Sequence, residues 1–435
     1  MSFYRAVGYQ FSNPSDAQVD GGVILASKIA KPVLDRRVGN IEDSYPHLED
    51  RLLDPQLYLA RLDPQAQKPC MKLASYPWFN VDELDEYDSQ QLTQSEWKDQ
   101  AESSIGNLWP GQEPQGNSTV TRCVQRCIDY QIEIGCEAII LPAPLTTNSA
   151  GYSDELNWID KGIEYARGLE CDLPVYATVA IQDICLKYES PPKNQLISTI
   201  ADTVSAREVD GVYLVLEQSS EPQRKSHCES SRTLWSILSL VHQFAIDADL
   251  KVGVNFLGVF GQACRAAGAD FWSSGWYKSL YRLRMADMRS DGRAYPKYWS
   301  FPGAVDVHLR DDFDALAGAN LIGNAPLDDQ TPASEGLLQA ASEGKSVSDV
   351  AAWVYRQSNV SEARNHFYLS VLNEEDKIRG ETLADQRQEI EDWLEGAEEL
   401  TSEISRVLPP DMKTNIDHVR AWHEAFRSYR NQYGL

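Results

Sequence analysis

The sequence lacks any long hydrophobic run. No apolar stretch in its 435 residues approaches the roughly 20 residues that a transmembrane helix needs. The N-terminus, MSFYRAVGYQ, has no apolar segment typical of a signal peptide. The eight cysteines have no close framework spacing, which favours reduced thiols over a disulfide scaffold. These absences together predict a cytoplasmic protein with no membrane partner.

Positive charge is scarce. Lys and Arg number 40 against 65 Asp and Glu, which gives a net charge of −25. An acidic surface repels nucleic-acid backbones and anionic lipid at long range, so we do not expect the surface as a whole to bind nucleic acid. A basic protein partner and simple solubility both remain as explanations of the charge.

Motifs of the common reaction classes are also missing. No serine lies in a nucleophile-elbow pattern, and the chain has no H-E-x-x-H or C-x-x-C motif. Cys123 and Cys127 are one helical turn apart, but no nearby histidine completes a set of metal ligands. The sequence therefore predicts no metal site, and it leaves the cofactor unknown.

A repeating strand, loop and helix pattern fills the middle of the chain. Its clearest unit, Lys251–Arg282, has a strand at Val252–Phe256, a glycine turn at Gly258–Gly261, a short helix, a second strand at Ala269–Trp272 and a turn at Ser273–Gly275. This is the βαβ pattern of parallel sheets. Both turns would lie at the carboxyl ends of strands, where such folds bind ligands.

The number of such units predicts the fold class. Eight strands close a (β/α)8 barrel, and an open doubly wound sheet is the alternative. The candidate strands lie near Leu53, Ile140, Ala177, Tyr213, Val254 and Phe271, and at Ala304–Leu309 and Asn320–Gly323.

Changes in pattern predict the domain organisation. The barrel is expected at residues 51–325, with a long loop-like insertion at 65–118 after its first strand. Residues 1–50 are interpreted as N-terminal decoration, in which Gly21–Ile29 is a candidate strand or hairpin arm. Residues 326–435 show helical patterns alone, which predicts an all-helical subdomain that packs on the barrel or on a partner.

Two short motifs carry a resemblance to known barrels. Through Gly268-Ala269-Asp270 and Ser273-Ser274-Gly275, the stretch resembles the last two βα units of phosphate- and flavin-binding (β/α)8 barrels. It is also similar to the corresponding segment of tRNA-guanine transglycosylase barrels, but that family's nucleophilic aspartate falls on Ser273 here and its zinc-binding cysteine cluster is absent. The resemblance implies a phosphate-bearing ligand and a flavin or nucleotide as the cofactor. It also implies that the two strands of Lys251–Arg282 are the seventh and eighth of the barrel. The strand count above makes them the fifth and sixth.

Three carboxylates at predicted strand ends are the candidate catalytic residues. Glu217 ends an apolar strand, so partial burial would raise its pKa toward neutrality and suit it to acid/base chemistry. Pairing with a nearby cation such as Arg224 or Lys225 is the alternative. Asp183 is a possible second carboxylate, and Asp54 either faces the barrel mouth or caps a turn before Pro55.

The phosphate site is predicted at the two turns of the βαβ unit. Backbone amides of Gly261 and Gly275 at helix starts suit an anion. The full predicted set is Asn255, Gly258, Gly261, Ser273, Ser274, Gly275, Lys278 and Arg282. A basic cluster with interleaved tyrosines continues from Lys278 to Lys297, where it either holds a nucleotide or RNA segment or pairs with the chain's own acidic segments.

Two hypotheses of function follow. In the first, the chain is a barrel enzyme that acts on a phosphate-bearing small molecule or nucleotide by acid/base chemistry. In the second, the barrel is catalytically silent and serves as a subunit of a larger, possibly nucleic-acid-processing, assembly or of a homo-oligomer. The missing nucleophile favours the second hypothesis, and the polar residues at the predicted barrel mouth favour the first.

Overall fold

The barrel is an eight-stranded parallel sheet. In a computed structural model, the described residues are 2–8, 11, 19–41, 45, 48, 50–63, 66–79, 117–148, 152–169, 171–187, 189, 195–223, 225–289, 294–409 and 411–435. The strands follow the order β3-β2-β1-β8-β7-β6-β5-β4, and all seven pairings are parallel. They are β1 Ser2–Val7, β2 Gly21–Leu25, β3 Arg51–Asp54, β4 Ile139–Ile140, β5 Val175–Gln182, β6 Gly211–Glu217, β7 Lys251–Asn255 and β8 Phe271–Ser274.

The two edge strands meet and nearly close the sheet. The backbone N–H of Glu137, just before β4, donates to the carbonyl of Arg51 in β3 at 3.0 Å. The Arg51 side chain also donates from Nε to the carbonyl of Ile134 at 2.8 Å. The predicted (β/α)8 fold is thus confirmed, together with the helices that follow it.

Aromatic rings fill the amino-terminal half of the barrel interior. Tyr176 of β5 and Phe271 of β8 belong to strands that are not neighbours, yet their ring centroids are 6.2 Å apart across the interior. Tyr4 of β1 stacks on Phe271 at 5.0 Å. Gly211 and Gly253 make room for these rings, since a Cβ at either position would lie 2.4 Å or less from a ring atom.

Gly253→Ala is expected to lower the free energy of unfolding by about 2 kcal/mol, as overpacked core substitutions do. The added Cβ would lie 2.0 Å from Cζ of Phe271, so the ring has to move. Gly336→Ala is the matched control, because that glycine lies in a helix with nothing within 4 Å of the new Cβ. Urea unfolding should show the control equal to or slightly more stable than the wild type. Equal stability of the Gly253 variant and the wild type would contradict this packing.

From β2 onward, helices alternate with the strands and cover the outside of the barrel. The long apolar strands β5 and β6 are buried along nearly all of their length, as expected for parallel strands covered on both faces. The helices are α1 Lys31–Val38, α2 Gln67–Ala74, α3 Asn117–Glu133, α4 Ser153–Gly168, α5 Asp183–Leu186, α6 Gln195–Ser205, α7 Ser231–His242, α8 Gly261–Ala266 and α9 Lys278–Tyr281.

The C-terminal part follows a small antiparallel hairpin and consists mainly of helices that pack on the barrel. The hairpin is β9 Lys297–Ser300 with β10 Val305–His308. Trp422 donates from Nε1 to the carbonyl of Cys228 at 3.1 Å, and Trp235 of α7 donates to Gln432 at 2.7 Å. The helices are α10 Phe313–Gly318, α11 Glu335–Ser342, α12 Ser361–Ile378, α13 Leu383–Val407 and α14 Asp417–Tyr433.

The predicted strand count is wrong at both ends of the barrel. Strands β1 and β2 lie within residues 1–50, which therefore supply barrel strands and not decoration. The strand expected at Ala304–Leu309 belongs to the separate hairpin, and residues 320–323 form a turn and bends. The βαβ unit consequently holds the seventh and eighth strands, as the resemblance implied.

The insertion follows the third strand and not the first. Much of it, residues 80–116, lies outside the described residues. All eight cysteines are described, and none forms a disulfide. No helix in the described part of the chain is both long and apolar enough to cross a bilayer.

Candidate functional site

Asp54 lies at the carboxyl end of β3 in a network of buried hydrogen bonds. Its side chain is fully buried. Tyr58 donates its hydroxyl to Oδ2 at 2.6 Å, and Tyr213 donates to the same oxygen at 3.1 Å from β6, across the interior. Asn255 of β7 donates from Nδ2 to the Tyr213 hydroxyl at 2.6 Å. Side chains from β6, from the end of β7 and from the segment after β3 are therefore joined in one network around this carboxyl group.

The surroundings of Asp54 favour its protonated form. Burial raises the pKa of this carboxyl to about 7, although the hydrogen bonds from Tyr58, Gln56 and Tyr213 act in the opposite direction. Its bonded neighbours are hydroxyls, amides and a backbone N–H, and no cation pairs with it among the residues that the structure describes. A carboxyl group with such a pKa is half ionised near neutral pH, which is the condition that acid/base catalysis requires.

The segment after Asp54 is held in an unusual conformation. Gln56 has a φ of 53°, in the left-handed region, and its N–H donates to Asp54 Oδ1 at 3.1 Å. Its Oε1 accepts a bond from the N–H of Ser27, after β2, at 2.6 Å. Trp78 donates from Nε1 to the carbonyl of Pro55 at 3.0 Å and stacks on Tyr76. The aromatic cluster at the start of the insertion thus fixes the loop that carries Asp54.

Glu217 lies at the end of β6 and is also buried. It accepts bonds from Gln182 Nε2 at 3.1 Å and from the N–H of Met285 at 3.0 Å. Burial raises the pKa of this carboxyl. The alternative partner Lys225 instead pairs with Glu229 at 2.8 Å, while residue 224 lies outside the described part. Glu217 is thus a second carboxyl group with a raised pKa.

The Asp183 side chain holds a loop through its hydrogen bonds. Its carboxylate accepts bonds from the N–H and the hydroxyl of Ser220, at 3.1 and 2.6 Å, and from the hydroxyl of Ser219 at 3.3 Å. These contacts connect the start of α5 to the loop after β6. Asp183 lies near enough to Glu217 for its charge to raise the pKa of that carboxyl, and the contacts of Asp183 itself hold the loop.

Several buried polar atoms near the strand ends have no hydrogen-bond partner among the described residues. Ser273 Oγ of β8 is one, and its residue is paired in register with Asn255. The others are the hydroxyl of Ser27, after β2, the hydroxyl of Thr146, after β4, and Oε1 of Gln218, after β6. Unmet hydrogen-bonding capacity of buried groups is costly, so a polar ligand or water fits here.

The predicted glycine site differs from the observed geometry. The N–H of Gly261 donates to the carbonyls of Gly258 and Val259, so it does not face outward. A Cβ on Gly261 would lie 2.4 Å from the ring of Trp272, and one on Gly275 would lie 2.4 Å from Leu280. Close packing against β8 and α9 therefore accounts for these two glycines. Helices α8 and α9 are also too short to support an anion at their starts.

The basic residues after β8 have partners within the chain. Lys278 pairs with Asp287 at 3.1 Å, and Lys297 pairs with Asp306 at 2.9 Å. Arg282 is buried and donates to the carbonyls of Glu221 and Pro222, both at 3.3 Å. The alternative of internal ion pairs is therefore found at Lys278 and Lys297. The side chain of Arg289 and all of residue 293 lie outside the described residues.

Sequence reasoning missed Tyr58, Tyr213 and Lys28. Tyr213 lies in the apolar run of β6, and nothing in that run reveals that its hydroxyl meets a carboxyl on β3. Lys28 lies three residues after the end of β2, in the segment predicted to be decoration. Ser274, in contrast, belongs to the predicted phosphate site. It is buried, and its hydroxyl has no partner among the described residues.

The described residues contain no group of three His, Cys, Asp or Glu side chains that could hold a metal ion. The chain matches no protein-family model and no curated protein.

Proposed function

We propose that this chain is a barrel enzyme in which Asp54 transfers a proton to or from a phosphate-bearing small molecule or nucleotide. The observation that carries the proposal is the Asp54 carboxyl itself, which lies buried at the carboxyl end of a barrel strand with no cation beside it among the described residues, and has a pKa of about 7. Strongly perturbed carboxyl groups in such positions are characteristic of functional sites.

The side chains around Asp54 support a role in proton transfer. Tyr58 and Tyr213 each donate to Oδ2, so they stabilise the carboxylate whenever Asp54 gives up its proton. Burial favours the neutral acid, and the two effects leave both forms accessible near pH 7. Glu217, with its raised pKa, is the second candidate acid or base in the same barrel end.

The glycine turn after β7 does not fit the phosphate of a flavin or nucleotide. The Gly261 amide that would bind it is already bonded within the turn. The buried hydroxyls near the strand ends that have no partner among the described residues support a phosphate-bearing ligand, and no step is assigned to a flavin.

The test is turnover of a set of nucleotides and sugar phosphates, followed by mass spectrometry. We expect a compound that is consumed by the wild type and by Asp392→Asn, an exposed position on α13, but not by Asp54→Asn. Consumption that persists in Asp54→Asn would remove Asp54 from the reaction.

Native mass spectrometry of the protein purified from its own host separates the two hypotheses of function. A retained small molecule is expected for the enzyme. If the protein consumes no compound in the set and co-purifies with another polypeptide, the enzyme proposal would be overturned in favour of a catalytically silent subunit.

A further inference from the structure

Lys28 lies where the loops after three neighbouring strands meet. It follows β2, and its Nζ donates to the hydroxyl of Ser279 in α9, after β8, at 3.0 Å. On the side of β1, a Cβ on Gly8 would lie 3.5 Å from Cβ of Lys28 and 3.3 Å from the hydroxyl of Tyr277. The ammonium group and two hydroxyl-bearing side chains are thus gathered at the carboxyl ends of β1, β2 and β8.

The charge of Lys28 has no counter-charge among the described residues. No carboxylate pairs with it among the residues that the structure describes, although the chain has 65 Asp and Glu residues. Burial and the nearby charge of Lys72 lower the pKa of its amine to about 8. Lys28 is partly buried, and even partial removal of a cation from water without a counter-charge is unfavourable, so an anionic ligand would relieve this cost.

A short chain of contacts connects Lys28 to the candidate acid. The N–H of its neighbour Ser27 donates to Gln56 Oε1 at 2.6 Å, and the N–H of Gln56 donates to Asp54 at 3.1 Å. The hydroxyl of Ser27 is buried and has no partner among the described residues. An anionic group at Lys28 would therefore lie next in sequence to this buried hydroxyl and within two hydrogen-bonded contacts of Asp54.

We propose that Lys28, with the hydroxyls of Ser279 and Tyr277, holds a phosphate group of the ligand. This inference rests on the proposed function for the identity of the ligand, and it places the phosphate between β1, β2 and β8 and not at the glycine turn after β7. The ammonium group supplies the charge, and the hydroxyls supply directed hydrogen bonds.

The first experiment measures the affinity of the full chain for inorganic phosphate by isothermal titration calorimetry at pH 7. Lys28→Met is expected to weaken binding about tenfold or more, because a charge-assisted hydrogen bond is lost. Lys31→Met is the matched control, since Lys31 is three residues away and pairs with Asp35 at 2.9 Å. Unchanged affinity in Lys28→Met, or no phosphate binding by the wild type, would overturn the proposal. So would loss of binding in Lys278→Met alone, which would place the anion in the basic cluster after β8.

The second experiment needs no variant and therefore no assumption about folding. Acetic anhydride at pH 8 should acetylate Lys28 faster than Lys31, and phosphate should slow the reaction at Lys28 only. Sulfate, whose charge is constant in this range, should bind less tightly as the pH rises through about 8, because Lys28 loses its proton there. Equal labelling of Lys28 with and without phosphate would contradict the site.

The failure of this inference can be distinguished from the failure of the proposed function. Asp54→Asn should bind inorganic phosphate like the wild type while losing turnover. Phosphate binding at Lys28 without turnover of any compound would remove the enzyme proposal and leave the anion site. Turnover that depends on Asp54 but not on Lys28 would remove the anion site at Lys28 and leave the enzyme proposal.

Discussion

Asp54→Asn is expected to raise the free energy of unfolding at pH 8 by up to about 4 kcal/mol, the cost of ionising an acid whose pKa the fold raises from its ordinary value to about 7. Asn resembles the protonated acid in shape. Its Oδ1 can still accept the N–H of Gln56, and its amide can donate to the hydroxyls of Tyr58 and Tyr213. The substitution therefore removes the ionisable group and keeps the network.

The pH dependence of this difference has a definite sign. Well below pH 4, Asp54 is protonated in both the folded and the unfolded chain, so the wild type and the variant should be equally stable. Between about pH 4 and pH 7 the unfolded chain releases the proton and the folded chain keeps it, so the wild type loses stability relative to the variant. Above pH 7 the full difference remains. Urea unfolding of both proteins from pH 4 to pH 8 measures it.

Asp183→Asn is the control for the chemical change. Its carboxylate accepts several bonds from Ser219 and Ser220, which an amide cannot replace at both oxygens. This variant should be less stable than the wild type. If Asp54→Asn were also less stable at pH 8, the raised pKa of Asp54 would be wrong. A variant that is more stable and inactive would be typical of a site where stability has been exchanged for function.

Glu375→Gln is expected to lower the free energy of unfolding by about 3–5 kcal/mol, the usual result of removing one partner of a buried ion pair. Glu375 of α12 is fully buried, pairs with the buried guanidinium of Arg265 in α8 and accepts a bond from Trp272 Nε1 of β8 at 2.8 Å. Burial raises the pKa of this carboxyl, and Arg265 opposes that effect. Without Glu375 the positive charge of Arg265 is left buried and uncompensated.

Two further variants define this effect. Glu424→Gln breaks an exposed pair with Arg420 and should change urea unfolding little. The double variant Arg265→Met with Glu375→Leu should recover most of the lost stability, because it removes both charges and fills the space with apolar atoms. A loss of less than about 1 kcal/mol in Glu375→Gln, as for a surface pair, would contradict the role of this contact in joining the C-terminal helices to the barrel.

The sequence predicts the strands that are buried on both faces better than the others. The strands predicted near Ala177 and Tyr213 are found at Val175–Gln182 and Gly211–Glu217, because long apolar runs with β-branched residues are typical of central parallel strands. Strand β1 was missed because it contains Arg5 and its partners are distant in sequence, among them β8. Hydrophobic pattern alone does not reveal which strands pair.

The residues of the candidate site can be predicted from the sequence only in part, for the same reason. Strand ends predict which polar residues share one end of a barrel, and Asp54, Glu217 and Asn255 do lie there. Which of them is buried without a cation depends on contacts between distant segments, such as Tyr213 with Asp54. The glycines show the opposite problem, since a need for close packing at Gly261 produces the same pattern as a turn that binds phosphate.

The pairing of β1 with β8 also has a consequence for synthesis on the ribosome. The first strand of the chain finds one of its two neighbours only when Phe271–Ser274 has been made. Until then β1 lacks one of its two partner strands and has an unpaired edge, and such edges readily pair with other chains. Contacts between segments this far apart form slowly, because much of the chain must be ordered first. The pairing of β1 with β8 can therefore form only late in synthesis. Until it forms, the N-terminal strands are the segment that a chaperone would need to protect.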